Sequence, residues 1–317
     1  MNAVRDEPIG TGSMTDTGYE RPRDPVEIWL ARQWQRILGF GVGIRENFFG
    51  VGGNSLDAAR VIDAILVEFG VQLPLNVLTE HPTVERLAAV LRDHDERPPG
   101  SLIAIQDGDG SHTPLFLVHP DDGQVGRYCL LANALGEEFA VFGLQAEGLY
   151  SDTQPSRTVP SMADAYVNAV RAVHPTGPHL LGGCGVGAAI AYEMAVRLED
   201  VRLVAAIDVE LLEPLDTVVE SWSRELPRQA QLPEILADWQ ERGLVPPNAT
   251  PEIVARSLRV WQANREAARD WRPSPYTGPI DVFGREQSTI LPASVAQRAH
   301  DCDTADRLAA ALRELIG

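Results

Sequence analysis

Gly183-Cys184-Gly185-Val186-Gly187 has the spacing of G-x-S-x-G, the tight turn that lifts a nucleophile where a strand passes into a helix. Covalent acyl transfer needs a hydroxyl or thiol at the central place, and Gly185 offers neither. Cys184 is the other candidate, with Gly182-Gly183-Cys184 as the turn. That register leaves Val186 where close strand–helix packing wants glycine. Successive side chains on a strand-like turn also point to opposite sides, which aims a thiol at 184 away from whatever a side chain at 185 would enter. A second reactive type, Ser55, follows Gly52-Gly53-Asn54 at the start of a helical pattern. Taken alone, a serine in that place is a helix cap.

These residues need strands and helices to hold them. An apolar run at 179–182 precedes the glycine pentad and helical spacing over 188–198 follows it. The alternation recurs, with apolar runs of strand length at 102–105, 115–118, 141–144, 203–207 and 280–283, and helical stretches near 125–135, 162–173 and 305–315. It predicts an α/β fold with a parallel sheet covered on both faces. Residues 213 to about 275 interrupt it with helices bearing Trp222, Trp239, Trp261 and Trp271, which either cage a ligand or pack lid helices together. Upstream, Val26, Trp29, Leu30, Trp34, Ile37 and Leu38 stand at helical three-and-four spacing behind Asp24 and Pro25. Further helices are expected from Ser55 to about Phe69, around Val77, and from Val84 to about Leu91, making a four-helix unit of about 70 residues. The polar stretch from His94 to Pro98-Pro99-Gly100 reads as a short linker. The expected organisation is a flexible leader at 1–23, a helical domain at 24–94 and an α/β domain at 95–317 with a lid at about 213–277.

A length of 317 residues leaves room for two cores. Hydrophobic residues make up 44% and charged residues 23%, a globular composition, and no apolar run reaches the roughly 18–20 residues of a membrane span. The N-terminal residues lack the apolar stretch of a secretory signal. Cys129, Cys184 and Cys302 are odd in number and scattered, which suits neither a disulfide framework nor a zinc site, so the expected setting is a reducing cytoplasm and the expected metal content none. With 45 acidic against 27 basic side chains, the net charge of −18 argues against nucleic acid and anionic membranes as partners. An acidic surface serves solubility or meets a basic patch on another protein.

The stretch ENFFGVGGNSLDAARVIDAILVEFGVQLPLNVLTEHPTVERLAAVL resembles the carrier (thiolation) domains of nonribosomal peptide synthetases, with Gly52-Gly53-Asn54-Ser55-Leu56 matching their GG-x-S-L attachment motif. The resemblance implies that a separate phosphopantetheinyl transferase esterifies Ser55 with 4′-phosphopantetheine, giving a flexible arm that carries an aminoacyl or peptidyl group loaded by adenylation or other synthetase domains. A helix N-terminus favours the added phosphodiester anion, while Asp57 opposes it slightly. Leu56, beside the arm, serves either partner docking or the core.

Residues from about 100 to 317 resemble the type I thioesterase domains that end such synthetases, through PLFLVHP, VFGLQAEGL, GPHLLGGCGVGAAIAYEMA, LVAAID and VWQANREAARDWRPSPYTGPIDVF. The fold implied is an α/β-hydrolase sheet with a helical lid. The family uses a Ser or Cys nucleophile, an Asp, a late His and two backbone N–H donors. Its spacing both upstream and downstream is met without a gap when Gly185 takes the nucleophile position and Cys184 the place before it. Asp208 matches the acid. His300 is the one histidine in the short segment after Phe283, and is either what is left of the base or an exposed helix-end residue. Where the family commonly has His-Pro-Ala-Gly-Gly, this chain has His119-Pro120-Asp121-Asp122-Gly123. A carboxylate about 5 Å from a developing oxyanion costs roughly 3 kcal/mol at an effective dielectric near 20.

The expected protein is therefore a freestanding carrier fused to an inactive thioesterase-like domain in peptide natural-product assembly, which shelters or presents the cargo or docks a tailoring enzyme. The alternative is an active thioesterase that uses Cys184, with Asp208 and His300, to hydrolyse or cyclise the chain.

Overall fold

Asp24 and Pro25 start the first helix as their types require: the Asp24 carboxylate accepts the Glu27 N–H at 2.9 Å, and α1 runs Pro25–Leu38 to Gly39. The structure, a computed structural model, describes residues 19–74, 76–92, 100–208, 231–242, 244–245, 249–284, 291 and 297–316. Most of the expected leader, all of the expected linker but Gly100 and the first part of the expected lid, with Trp222, lie outside the described residues.

The helical unit comprises α1, α2 (Ser55–Phe69), the single turn α3 (Val77–Glu80) and α4 (Val84–Arg92). Their apolar stripes meet in one core of Leu30, Trp34, Phe48, Val61, Ile65, Leu78, Leu87 and Leu91, where Trp34 and Phe48 pack edge to face at 4.8 Å. One edge of this core is ionic. Glu27, wholly buried, accepts from Arg23 Nη2 at 2.6 Å and from Arg92 Nη2 at 2.9 Å. Burial works to raise the Glu27 pKa, but the two guanidinium groups outweigh it and hold the carboxyl below its ordinary range. Glu27→Ala removes the carboxylate shared by both guanidinium groups, while Arg23 keeps Glu85 at 2.9 Å and Arg92 keeps Asp24 at 2.8 Å, and is expected to cost about 1.5–3 kcal/mol, read as a lowered urea midpoint. Because the folded pKa is depressed, the Glu27 contribution is present above the unfolded carboxylate pKa and fades as pH falls through the folded value.

Among the described residues seven strands follow: β1 (Leu102–Asp107), β2 (Leu115–Val118), β3 (Ala140–Leu144), β4 (His179–Cys184), β5 (Val201–Ile207), β6 (Asp281–Phe283) and β7 (Arg298–His300). They form one sheet in the order β1-β3-β2-β4-β5-β6-β7. The expectation of a parallel sheet needs one correction, since β1 pairs antiparallel with β3 (Leu102 opposite Leu144); hydrophobic runs do not encode chain direction. Alternation along each strand feeds two cores. Phe116, Val118, Leu181 and Val204 face α6 (Val159–Val173) and α7 (Val186–Arg197). Leu115, Leu117, Leu180 and Leu203 face α5 (Tyr128–Leu135) and α10 (Ala305–Ile316). The remaining helices among the described residues, α8 (Leu232–Glu241) and α9 (Pro251–Asp270), bury Trp239 and Trp261 in a cluster of their own, while Trp271 donates to Glu193 at 3.1 Å. Those three tryptophans are buried structural residues.

Candidate functional site

At the end of β4 the chain turns through Gly185, whose φ of 56° and ψ of −129° lie where side chains other than glycine are strained, and enters α7 at Val186. This is the sharp elbow that the glycine pentad predicts. Gly187 explains the register: a Cβ there would lie 2.4 Å from the His119 carbonyl oxygen, so the first turn of α7 crosses the end of β2 with no space for a side chain. The flanking glycines thus sit around position 185.

Directly over the elbow lies Asp121. A Cβ on Gly185 would be 3.0 Å from Asp121 Oδ2, and the Val186 N–H faces the same carboxylate and works to hold it ionised. In the nucleophile-elbow geometry the N–H of the residue after the nucleophile is an oxyanion donor. Here an internal carboxylate stands in front of it. Burial raises the Asp121 pKa, Asp122 adds to the rise, and the Val186 N–H and Arg265 oppose it. The backbone carbonyl of Asp121 is held from α9 by Asn264 Nδ2 at 3.0 Å. Asp122 is different. It bonds Arg127 and accepts the Gln124 N–H at 2.9 Å, so the two adjacent carboxylates read together from the sequence divide into one paired with a cation and one turned onto the elbow. His119 supports the turn from below, its imidazole pushed down to about 4 by burial and so neutral; Nδ1 donates to the Pro120 carbonyl at 2.8 Å and Nε2 accepts from Tyr166 Oη at 2.8 Å.

Cys184 is the last residue of β4 and is wholly buried on the opposite face of the sheet, in the cluster with Leu117, Ile207 and Phe283. Its thiol lies against the Tyr128 hydroxyl, and burial pushes it up to about 12, far from the thiolate that a nucleophile requires. His300 is on β7, which corrects its placement at a helix end. Nε2 bonds Asp281 Oδ1 at 2.7 Å and the ring stacks on Phe283 at 4.7 Å. Three strand steps separate it from Cys184, through Ile207 and Phe283, or roughly 14 Å at normal strand spacing. Asp208 follows β5, its N–H donating to the Phe283 carbonyl at 2.8 Å, and a Cβ on Gly284 would touch its side chain.

In the helical unit Ser55 is the exposed first residue of α2, and the cap is its neighbour: Asn54 Oδ1 accepts the N–H groups of Leu56 and Asp57 at 2.9 and 3.1 Å. The Ser55 hydroxyl is thus not required as the cap. Asp57 is occupied in the reciprocal bond to the Asn54 N–H at 3.3 Å and pairs with Arg60 at 3.2 Å. Leu56 is 63% exposed, which settles it as a surface residue. An accessible hydroxyl at the N-terminus of a 15-residue helix fits the attachment of a phosphodiester-linked arm.

The thioesterase-domain family model matches residues 113–307, more than half of the chain. The chain belongs to the thioesterase family. A second model, for the phosphopantetheine attachment site, matches residues 29–91, so the thioesterase domain follows a carrier domain that carries 4′-phosphopantetheine. Malpinin synthetase of Mortierella alpina is 32% identical over 276 residues, 84% of this chain and 4% of that protein. Indigoidine synthase of Dickeya dadantii is 36% identical over 179 residues, 56% of this chain and 12% of that one. Against both, the chain spans a small part of a far longer protein. The crystal structure of holo-AB3403, a four-domain nonribosomal peptide synthetase bound to AMP and glycine, superposes with a TM-score of 0.76 at 26% identity, covering 98% of this chain and 26% of that one. Among the described residues no helix is long and apolar enough to cross a membrane, and no group of His, Cys, Asp and Glu is arranged to hold a metal ion.

Proposed function

We propose that the carrier domain holds an acyl group in nonribosomal peptide assembly, including that of antibiotics, and that the thioesterase domain behind it keeps that group instead of releasing it. In this reading Ser55 is the attachment residue, a phosphopantetheinyl transferase installs the arm, adenylation or other synthetase domains load it, and a tailoring enzyme acts on the load while it is held. The bound 4′-phosphopantetheine supplies the thiol on which an aminoacyl or peptidyl chain is carried.

The observation that supports the reading is the pairing of Gly185 with Asp121. Release needs an attacking atom and a donor ready for the charge that develops on the acyl oxygen. Position 185 has no side chain, and the Val186 donor faces a carboxylate that would repel a second oxyanion. Cys184 is no substitute, being on the far face of the sheet with its thiol protonated.

The test is to load the arm with an aminoacyl group and follow intact mass. The load is expected to persist, decaying at the rate of a free pantetheine thioester in the same buffer, with Cys184→Ala indistinguishable from the wild type. Faster loss that Cys184→Ala abolishes would overturn the proposal in favour of a cysteine thioesterase.

A further inference from the structure

The first helix serves two cores at once. It buries Leu30 and Trp34 within the carrier, but Ile28 packs in the cluster of Ile105, Leu115, Tyr128 and Leu131 in the thioesterase domain. Polar groups close the seam on either side. Arg32 Nη1 donates to the Ala104 carbonyl at 3.2 Å, Arg32 and Arg36 each lie 3.4 Å from the Asp107 carboxylate, and Gln35 Nε2 donates to Gln106 Oε1 at 3.4 Å. At the start of the helix, Arg23 Nη1 donates to the Val245 carbonyl at 3.3 Å and the Arg23 carbonyl accepts from Tyr150 Oη at 3.2 Å. After the helix, Gly41 approaches α5 so closely that a Cβ would lie 2.7 Å from Asn133 Nδ2. This contact combines a buried apolar anchor, ion pairs and backbone bonds along the whole length of α1. The surface of the carrier that bears the arm is elsewhere: with the two domains in contact, Ser55 and Leu56 remain exposed.

We infer that α1 is a standing docking face through which carrier and thioesterase domain move as one body, and that Ser55 is served by enzymes outside the chain without the carrier undocking. The surface so assigned is the seam of α1 with β1 and α5, and its partner is the thioesterase domain itself. The inference holds whether or not that domain releases acyl groups, so its test and the loading test above fail independently.

Gly41→Cys with Asn133→Cys places two thiols across the seam at the close approach just described, and the native cysteines, all buried, do not compete. The pair is expected to oxidise fully in the folded protein. The locked protein should accept phosphopantetheine from a transferase and coenzyme A at the same rate as its reduced form. In the wild-type protein, 15N relaxation should give the amides of both domains one rotational correlation time. Arg32→Glu with Arg36→Glu should split that into two, and adding Asp107→Arg should restore one. A carrier that tumbles separately in the wild type, a cysteine pair that stays reduced in folded protein, or a lock that blocks modification until reduced would each overturn the inference.

Discussion

Ser55→Ala is expected to abolish phosphopantetheine attachment completely while leaving the carrier as stable as before. The two halves of this expectation come from different atoms. The chemistry rests on one exposed hydroxyl, for which alanine offers no replacement. The helix does not rest on it, because Asn54 is the cap and Asp57 completes the reciprocal bond. Alanine is also a good residue within a helix. Intact mass after incubation with a transferase and coenzyme A should show one added arm on the wild type and none on the variant, with equal thermal midpoints. Asn54→Ala should show the reverse, a stability loss of about 1 kcal/mol with the arm still attached. A variant lacking Ser55 that still gains the mass of the arm would place the attachment on another hydroxyl and remove the basis for the carrier reading.

The parts of the molecule that the sequence exposes are those in which periodicity and turn chemistry agree. Asp24, Pro25 and the Val26-to-Leu38 stripe place α1 to within a residue of its ends, and the apolar runs place β2 and β5. The elbow is legible because Gly183, Gly185 and Gly187 each answer a local steric demand. What escapes is set by side-chain direction and by contacts distant in the chain. Arg298-Ala299-His300 is too short and too polar to announce itself as β7, and it exists by pairing with β6. The twin carboxylates of Asp121 and Asp122 look equivalent in sequence, yet one finds Arg127 five residues on and the other turns onto Gly185 in a different element. An Arg at that offset is a weak signal, visible only with the turn in mind. Asn264, which ties Asp121 to α9 from 143 positions away, has no sequence signature at all. Ile28 reads as one more position on an amphipathic helix, and only the structure shows that it anchors a second domain.

Restoring a serine at the elbow is expected to do little until Asp121 is removed. Gly185→Ser puts a side chain at a φ of 56°, a conformation that costs roughly 1–2 kcal/mol, and its Cβ meets Asp121 Oδ2 at 3.0 Å. Even with the hydroxyl in place, the Asp121 carboxylate still faces the Val186 donor. Asp121→Ala frees it, and one oxyanion donor is worth about 10²–10³ in rate. Gly185→Ser with Asp121→Ala should therefore shed a loaded acyl group roughly 10²–10³ times faster than Gly185→Ser alone. Asp121→Asn separates charge from obstruction. Its amide still obstructs the elbow but no longer repels an oxyanion, so release should rise by less than in Asp121→Ala, and the protein should unfold at a higher temperature at neutral pH. The sign follows from burial, which raises the Asp121 pKa: the stability it confers is full below the unfolded carboxylate pKa and is lost as pH rises through the folded value. The Val186 amide reports on the same carboxylate directly, since its proton resonance should move upfield in Asp121→Ala and titrate with a single carboxyl in the wild type. If Gly185→Ser alone released its load as fast as the double variant, or if the Val186 resonance ignored Asp121, the carboxylate would not be what keeps this elbow silent. The loss of the nucleophile would then stand as the whole explanation.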